Sequence, residues 1–461
     1  MQELTLQDVI RATGGRPVGG PAEAMIQTIC IDSRKIGRES LFIAIKGDTF
    51  DGHQYLQQAA DGGSVAALIH SPVAAAPCGM SLILVDNTRK AMGRLAHFVR
   101  SRFGPCVIGI GGSNGKTSTK HLVDSVLAKK LRGTRSDKSF NNDIGVPLTL
   151  FAAGADDDYV VVEMGTNHVG EMSVLTRIAE PDIAVIMNAA PEHLEGLGNL
   201  DGVRKEEASI IEHLRPRGLL VVYGDDPALL SHVAKYPGKR VTFGLSPGCD
   251  LRAQDIHCML EGTRFRVNGG PVLSVPLAGR HFAVNALAAI AVAQHMGLSD
   301  GEVADGLRMA SSPEMRMQVQ RVGGITVLND AYNANPASMS AALETFASLE
   351  LPGRRVAILG GMRELGETSQ QLHRELGAAV AKAGIDVLLC LGDLAGDIAD
   401  GALAAGMPGA SVHRFADAKE TQRALPLLVR DGDTLLLKGS RGVRVEQVLQ
   451  ALGVASPAEA H

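Results

Sequence analysis

The sequence predicts an α/β protein of three α/β units, the central one built on a mostly parallel sheet that ends in a glycine-rich loop. Three observations carry this. The chain has 461 residues, well above the roughly 100–200 of one domain. Short β-branched runs such as "CVIGI", "DYVVVE", "DIAVIM" and "GLLVVY" each stop at a glycine or a polar residue, and stretches with apolar residues at helical spacing separate them. That is the rhythm of buried parallel strands with helices on both faces. The rhythm also restarts twice, which sets boundaries at 1–103, 104–312 and 313–461.

Taken in order, "SLFIAIKGDTFDGHQYLQQAADGGSVAALI" gives a strand, a helical stretch bounded by glycines and a second strand, a small α/β unit. Near "RFGPCVIGIGG" a β-branched run meets glycines and leads into "TSTKHLVDSVLAKKL", apolar at helical spacing: strand, loop, helix. Three further strands and the helix "HFAVNALAAIAVAQHMG" complete the second unit. The third unit reads as four strands, in "GITVLNDAYNANP", "RRVAILGGM", "IDVLLCLGD" and "DTLLLKGSR", alternating with helices. The tail "ASPAEAH" has a disordered composition, and there is no internal repeat.

Composition narrows the class. With 45% apolar and 21% charged residues and a formal charge of −5, no basic surface for nucleic acid is expected. Six cysteines (Cys30, Cys78, Cys106, Cys249, Cys258, Cys390) without a Cys-x-x-Cys pair point to reduced thiols rather than to disulfides or zinc. No stretch reaches the roughly 20 apolar residues of a membrane span, and the start lacks the apolar core of a signal peptide. A cytoplasmic protein, not bound to membrane, is expected.

The chemistry concentrates at strand ends. In "GIGGSNGKTSTK" the segment Gly112, Ser113, Asn114, Gly115, Lys116, Thr117 and Ser118 has the strand-loop-helix setting of a phosphate loop. There, consecutive N–H groups and a helix N-terminus gather partial positive charge. Lys116 would hold β/γ-phosphates and Thr117 would ligate Mg²⁺. The loop is one residue short of the usual spacing, since Ile110 stands where the first glycine belongs. Glu163 closes the strand "DYVVVEMG" at the end where open α/β sheets place ligands, as a magnesium ligand or as a solvated cap. His193, in "NAAPEHLEGLG", follows another strand end. "RKEEASII" puts Lys205, Glu206 and Glu207 at a helix start, where acidic residues suit the dipole; on residue chemistry alone this is a solvated charged face. Asp330, Asn333 and Asn335 in "NDAYNANP" suit a ribose or their own turn. Lys438, Ser440 and Arg441 end a strand where an anion or a loop would follow.

This set of motifs, in this order, resembles the Mur ligases, cytoplasmic enzymes that build the peptidoglycan peptide by ATP-driven amide formation. The family's shortened loop, Gly-x-x-Gly-Lys-[Thr/Ser], matches Gly112 to Thr117 in full. The likeness extends through "DSRKIGRESLFIAIKGDTFDGHQY", "FNNDIGVPLTL", "EMGTNHVGEM", "GRHFAVNALAA", "MRELGE" and "LLLKGSRG". It implies a UDP-muramoyl-peptide-binding domain, a central ATP-binding domain and a C-terminal Rossmann-like domain. "FNNDIGVPLTL" with "YNANPASM" is most similar to the member that joins D-alanyl-D-alanine to UDP-N-acetylmuramoyl-tripeptide through an acyl phosphate.

By that resemblance Asp32, Ser33, Arg34, Lys46 and Thr49 would hold the uridine diphosphate end, with Asn141 and Asn142 toward the sugar-peptide. Asn285 would contact adenine, while Arg316, Asp330 and Asn335 would reach ATP from the third unit. Lys116, Thr117, Glu163 and His193 would organise phosphates and Mg²⁺, and Lys438 and Ser440 would shape the dipeptide site; a monomer is expected. Many members carry a carbamoylated lysine where this chain has Glu207, which is then expected to supply the anionic oxygens at a second metal. Lys205 lies about 200° around the helix from it and cannot substitute. Gly361 stands where an Asp is common. The alternatives are the family's diamino-acid ligase, whose Asp-[Asn/Asp]-Pro-Arg motif is missing here, and a nucleotide-binding regulator without ligase turnover.

Overall fold

The computed structural model describes residues 3–102 and 104–454; the tail "ASPAEAH" lies outside the described residues. Among these, a two-stranded ribbon (Leu4–Thr5 with Met25–Ile26) accompanies three larger sheets. The first runs in the order Arg16–Gly19, Ser81–Leu84, Ser64–Ile69, Ser40–Ile43, Thr28–Cys30, parallel except for its first pair. The second has nine strands. Its parallel part holds Cys106–Gly111 between Ile183–Ile186 and Tyr159–Glu163. Its far edge is an antiparallel extension, Leu251–Met259, Gly262–Val267 and Val272–Val275. The third has six strands, not four, because Gln318–Val322 and Val412–Phe415 form its edges.

The added strands share a physical reason. A strand covered on one side needs only alternate apolar residues, and Gln318–Val322 alternates half-buried with exposed positions. The central strands are buried on both faces, as in Tyr159–Glu163, where every residue is buried. Their β-branched side chains pack between layers, each contributing roughly 1.5–3 kcal/mol on burial.

Parallel register decides where the chemistry goes. Glu163 pairs with Ile110 and Ile186 with Gly111, so three strands finish side by side where the chain turns into the glycine loop. The helix Lys116–Leu127 leaves that loop and packs against the long helix Arg280–His295.

The first and second units meet through helix Thr88–Ser101, which packs on helices Gly145–Ala152 and Glu171–Ala179. Arg100 is fully buried there. It donates to the carbonyls of Ala179 (2.9 Å) and Glu180 (3.0 Å) and pairs with Asp182 (2.6 Å). A charge this buried is tolerated because its donors are satisfied. All six cysteines are free thiols, and no described helix is long and apolar enough to cross a membrane.

Candidate functional site

The loop after strand Cys106–Gly111 depends on two glycines. Gly112 has φ 117° and a Cβ on it would fall 2.8 Å from the Met187 nitrogen, while Gly115 has φ 87° and lies against the Asn285 amide. Both are conformations that side chains rarely adopt. Asn188 anchors the loop: its backbone carbonyl accepts from Ser113 N–H (3.0 Å) and its side chain accepts from Asn114 N–H (2.9 Å). Helix Lys116–Leu127 then starts with free N–H groups facing a cleft of about 2240 Å³ lined by all three units. The Lys116 ammonium turns back onto the carbonyls of Gly112 and Ser113.

Glu163 is 1% exposed and saturated by the chain's own donors. Thr117 Oγ1 donates to it at 2.9 Å, Lys120 Nζ lies at 3.0 Å and Asn141 Nδ2 donates at 3.3 Å. Lys120 is fully buried and also donates to the Lys138 carbonyl; burial holds its pKa below the ordinary lysine value. From the third unit, Arg316 donates to Thr117 Oγ1 (2.9 Å) while its guanidinium lies 3.9 Å over the Tyr332 ring. Asn335 donates to Asn114 Oδ1 (2.9 Å) and to the buried Glu192 (3.2 Å), and it caps helix Pro336–Ser348. Asp330 is held by Lys438 Nζ (2.6 Å) and Met317 N–H (3.1 Å).

The structure therefore brings Lys116, Thr117, Glu163, Asn141, Asn285, Arg316, Asp330, Asn335 and Lys438 to one cleft. Asn142 lines it too, with its side-chain Oδ1 accepting from Ile144 and Gly145 N–H. His193 is on the cleft wall, its Nδ1 paired with Glu364 across the seam. Other residues stand apart. Ser440 bonds Ala334 and Arg363 and is not on the lining. Asp32, Ser33, Arg34, Lys46 and Thr49 also lie outside it; Asp32 grips Arg34 at 2.9 Å. The first unit reaches the cleft instead with Asn87, Arg89 and Lys90.

"RKEEASII" is neither a helix start nor a solvated face. The helix is Leu200–Ala208, capped by Asn199, so Glu206 and Glu207 occupy its last turn and are 4% and 2% exposed. Glu206 accepts from Gly170 and Met172 N–H (2.8 and 2.7 Å) at the start of helix Glu171–Ala179. Glu207 accepts the Gly112 N–H at 2.6 Å, under the loop and off the cleft lining. Desolvation pushes its pKa up to about 8, with Lys116 opposing and Glu192 reinforcing. Lys205 is exposed. At Gly361 a Cβ would come 2.5 Å from Leu394 Cβ, which leaves no room for an Asp.

Sequence reading missed Lys120, Glu192, Tyr332 and Glu364. None had a local signal: Lys120 shares its helix face with Lys116, Thr117 and Asp124 as well as Val123, and all four are defined by tertiary contact.

Models of three Mur ligase domains match the chain: the family's catalytic domain over residues 25–100, the middle domain over 110–293 and the glutamate ligase domain over 315–441. The chain belongs to the Mur ligase family. Among its relatives, the UDP-N-acetylmuramoyl-tripeptide–D-alanyl-D-alanine ligase of Bacillus subtilis is 36% identical, with 94% of each chain covered. The Escherichia coli enzyme of the same name is 34% identical over 98% of this chain and 99% of its own. The crystal structure of MurF from Acinetobacter baumannii superposes with a TM-score of 0.89 at 28% identity, covering 98% of this chain and 99% of that one. MurF ligase from Thermotoga maritima in complex with ADP gives 0.81 at 26%, covering 92% and 96%. Within this Mur ligase, the glycine loop and the strand-end glutamate fall in the middle domain, and Arg316, Asp330 and Asn335 in the glutamate ligase domain.

Proposed function

We propose that this Mur ligase uses ATP to join D-alanyl-D-alanine to the terminal carboxylate of UDP-N-acetylmuramoyl-tripeptide. The observation that carries the reading is near full-length identity of 36% and 34% to ligases of that name. The cleft supports it, since a shortened phosphate loop faces groups from the third unit across a single space. The three sheets support a division at 1–103, 104–312 and 313–461.

The chemistry follows from the parts. A carboxylate acylates poorly because its oxygen leaves badly, so the γ-phosphoryl group moves to it first and gives an acyl phosphate. The dipeptide amine then attacks that carbonyl and phosphate departs. Lys116, the helix N-terminus and Arg316 would hold and neutralise the phosphates, with Asn285, Asp330 and Asn335 around the nucleotide. Neither step needs a protein nucleophile. The uridine diphosphate end would bind at Asp32, Ser33, Arg34, Lys46 and Thr49, with Asn141 and Asn142 beside the peptide and Lys438 and Ser440 at the dipeptide side.

Thr117 and Glu163 have the donor chemistry Mg²⁺ takes, a hydroxyl and a carboxylate oxygen 2.9 Å apart on the cleft lining, and Arg316, which donates to Thr117, would yield its place there. Bound there, Mg²⁺ would offset charge on the phosphate oxygens, with His193 on the nearby wall. Glu207 does not fit a second metal, because its oxygen holds the Gly112 N–H beneath the loop; among the described residues no three His, Cys, Asp or Glu side chains form a metal cluster.

The test is phosphate release from ATP. It should require UDP-muramoyl-tripeptide and D-alanyl-D-alanine together. Release with neither, or none with both, overturns the reading, and turnover on the dipeptide precursor with a diamino acid would favour the alternative ligase.

A further inference from the structure

Glu163 serves two neighbourhoods. One oxygen meets Thr117 and Lys120 on the phosphate-loop helix, and the other meets Asn141 in the segment 136–144. That segment is tied to the same place elsewhere: Ser136 Oγ accepts the Glu163 N–H (3.0 Å), and the Lys138 carbonyl accepts from Lys120 Nζ. Lys138 itself sits at φ 42°, a left-handed conformation that a side-chain-bearing residue adopts only when held. Lys120 is thus the one described side chain that bonds to both the strand-end carboxylate and the backbone of this segment. Its ammonium is fully buried and faces no open cleft, so it does not line the space where substrate sits. A buried lysine is costly unless its protons are placed, and here one goes to each side of the seam between nucleotide and peptide regions.

We propose that Lys120 is a positioning residue that couples the two substrate sites, carrying the state of segment 136–144 to Glu163 and the phosphate loop and back. When the peptide end of the UDP-substrate orders the segment, the Lys138 carbonyl holds Lys120, and Lys120 holds Glu163 where Thr117 and the nucleotide need it. Linkage makes the effect reciprocal: nucleotide binding tightens the UDP-substrate by the same factor. The inference rests on the proposed ligase reading, because it takes the two ligands to be ATP and the UDP-muramoyl-tripeptide.

The experiment is calorimetry on the full chain with a β,γ-imido ATP analogue plus Mg²⁺ and with UDP-muramoyl-tripeptide, each titrated alone and in the presence of the other. Wild type should show coupling of about tenfold, within the usual range for linked sites. In Lys120→Met coupling should fall to about one whatever happens to the affinity for either ligand alone, since a uniform structural loss weakens both and cancels in the coupling ratio. Lys120→Gln, which keeps a donor but no charge, guards against misfolding of the methionine variant and should fall between the two. A third measurement needs no variant: hydrogen exchange in 136–144 should slow when the Mg²⁺-bound ATP analogue alone is added. Unchanged coupling in either variant, absent coupling in wild type, or unchanged exchange overturns the proposal. Failure of wild type to bind the UDP-substrate at all overturns the ligase reading instead.

Discussion

The seam between the first and second units and the seam between the second and third differ in what crosses them. At the first, Leu95, Ala96 and Val99 share a core with Leu175, Ile178 and Ala179, and the buried Arg100 has its donors fixed to carbonyls and Asp182. At the second, helix Pro336–Ser348 rests on Arg280–His295, but beside the cleft the bonds are polar and exchangeable: Arg316 to Thr117, Asn335 to Asn114 and Glu192, Glu364 to His193. The first holds a geometry. In the second, each donor or acceptor has an alternative partner on a phosphate or in water, so reacting groups can meet and part there.

The comparison breaks most visibly at Arg100. Arg100→Met takes the side-chain donors from the Ala179 and Glu180 carbonyls and one partner from Asp182, which keeps the Val107 N–H and Arg215, and should cost about 2 kcal/mol of unfolding free energy by urea denaturation. A loss below ~1 kcal/mol would make that seam purely apolar. Arg316→Met should do the reverse, lowering kcat/KM on the order of 10²-fold while the urea midpoint stays within the scatter expected for a cleft-side group. If stability fell as far as in the Arg100 variant, the two seams would be alike. Asn335→Ala should have both effects in small measure, about 1 kcal/mol from the lost helix cap and weaker nucleotide binding from the lost hold on Asn114.

A pH-dependent effect is expected in the interior beneath the loop. Glu207 has a folded pKa of about 8 against 4.5 for the free side chain. Across that window the folded chain keeps a proton that the unfolded chain has released, so the residue's contribution to stability falls as pH rises. Glu207→Gln stays neutral, so in ligand-free protein its thermal midpoint should climb relative to wild type by a few degrees or less from the acid to the alkaline end. A constant difference would mean that Glu207 is already ionised in the fold.

These contrasts also mark what could be read from the residues. The glycine loop and the strand-end Glu163 were legible because local sequence dictates them: positive φ needs glycine, and a β-branched run must end somewhere. The start of helix Leu200–Ala208 was legible in principle, since Asn199 followed by Leu-Asp-Gly is a capping signal, yet the acidic pair drew the boundary to "RKEEASII" instead. That Glu207 holds Gly112, 95 positions away, or that Glu364 meets His193 across 171, is set by packing between layers and leaves no local trace. The antiparallel extension was missed because Leu251–Met259 is half-exposed and carries Arg, Gln, Asp and His among its apolar residues.

The posture of Lys116 has a kinetic side. With its ammonium folded back on the carbonyls of Gly112 and Ser113, Lys116 must be drawn off those contacts by an arriving anion. A lone inorganic phosphate would do so as one anion set against two neutral carbonyls. A polyphosphate can in addition meet Arg316, which already stands on Thr117 beside the loop, so a longer ligand profits more from the swap. Loop and Arg316 together therefore favour a longer phosphate chain over a single phosphate.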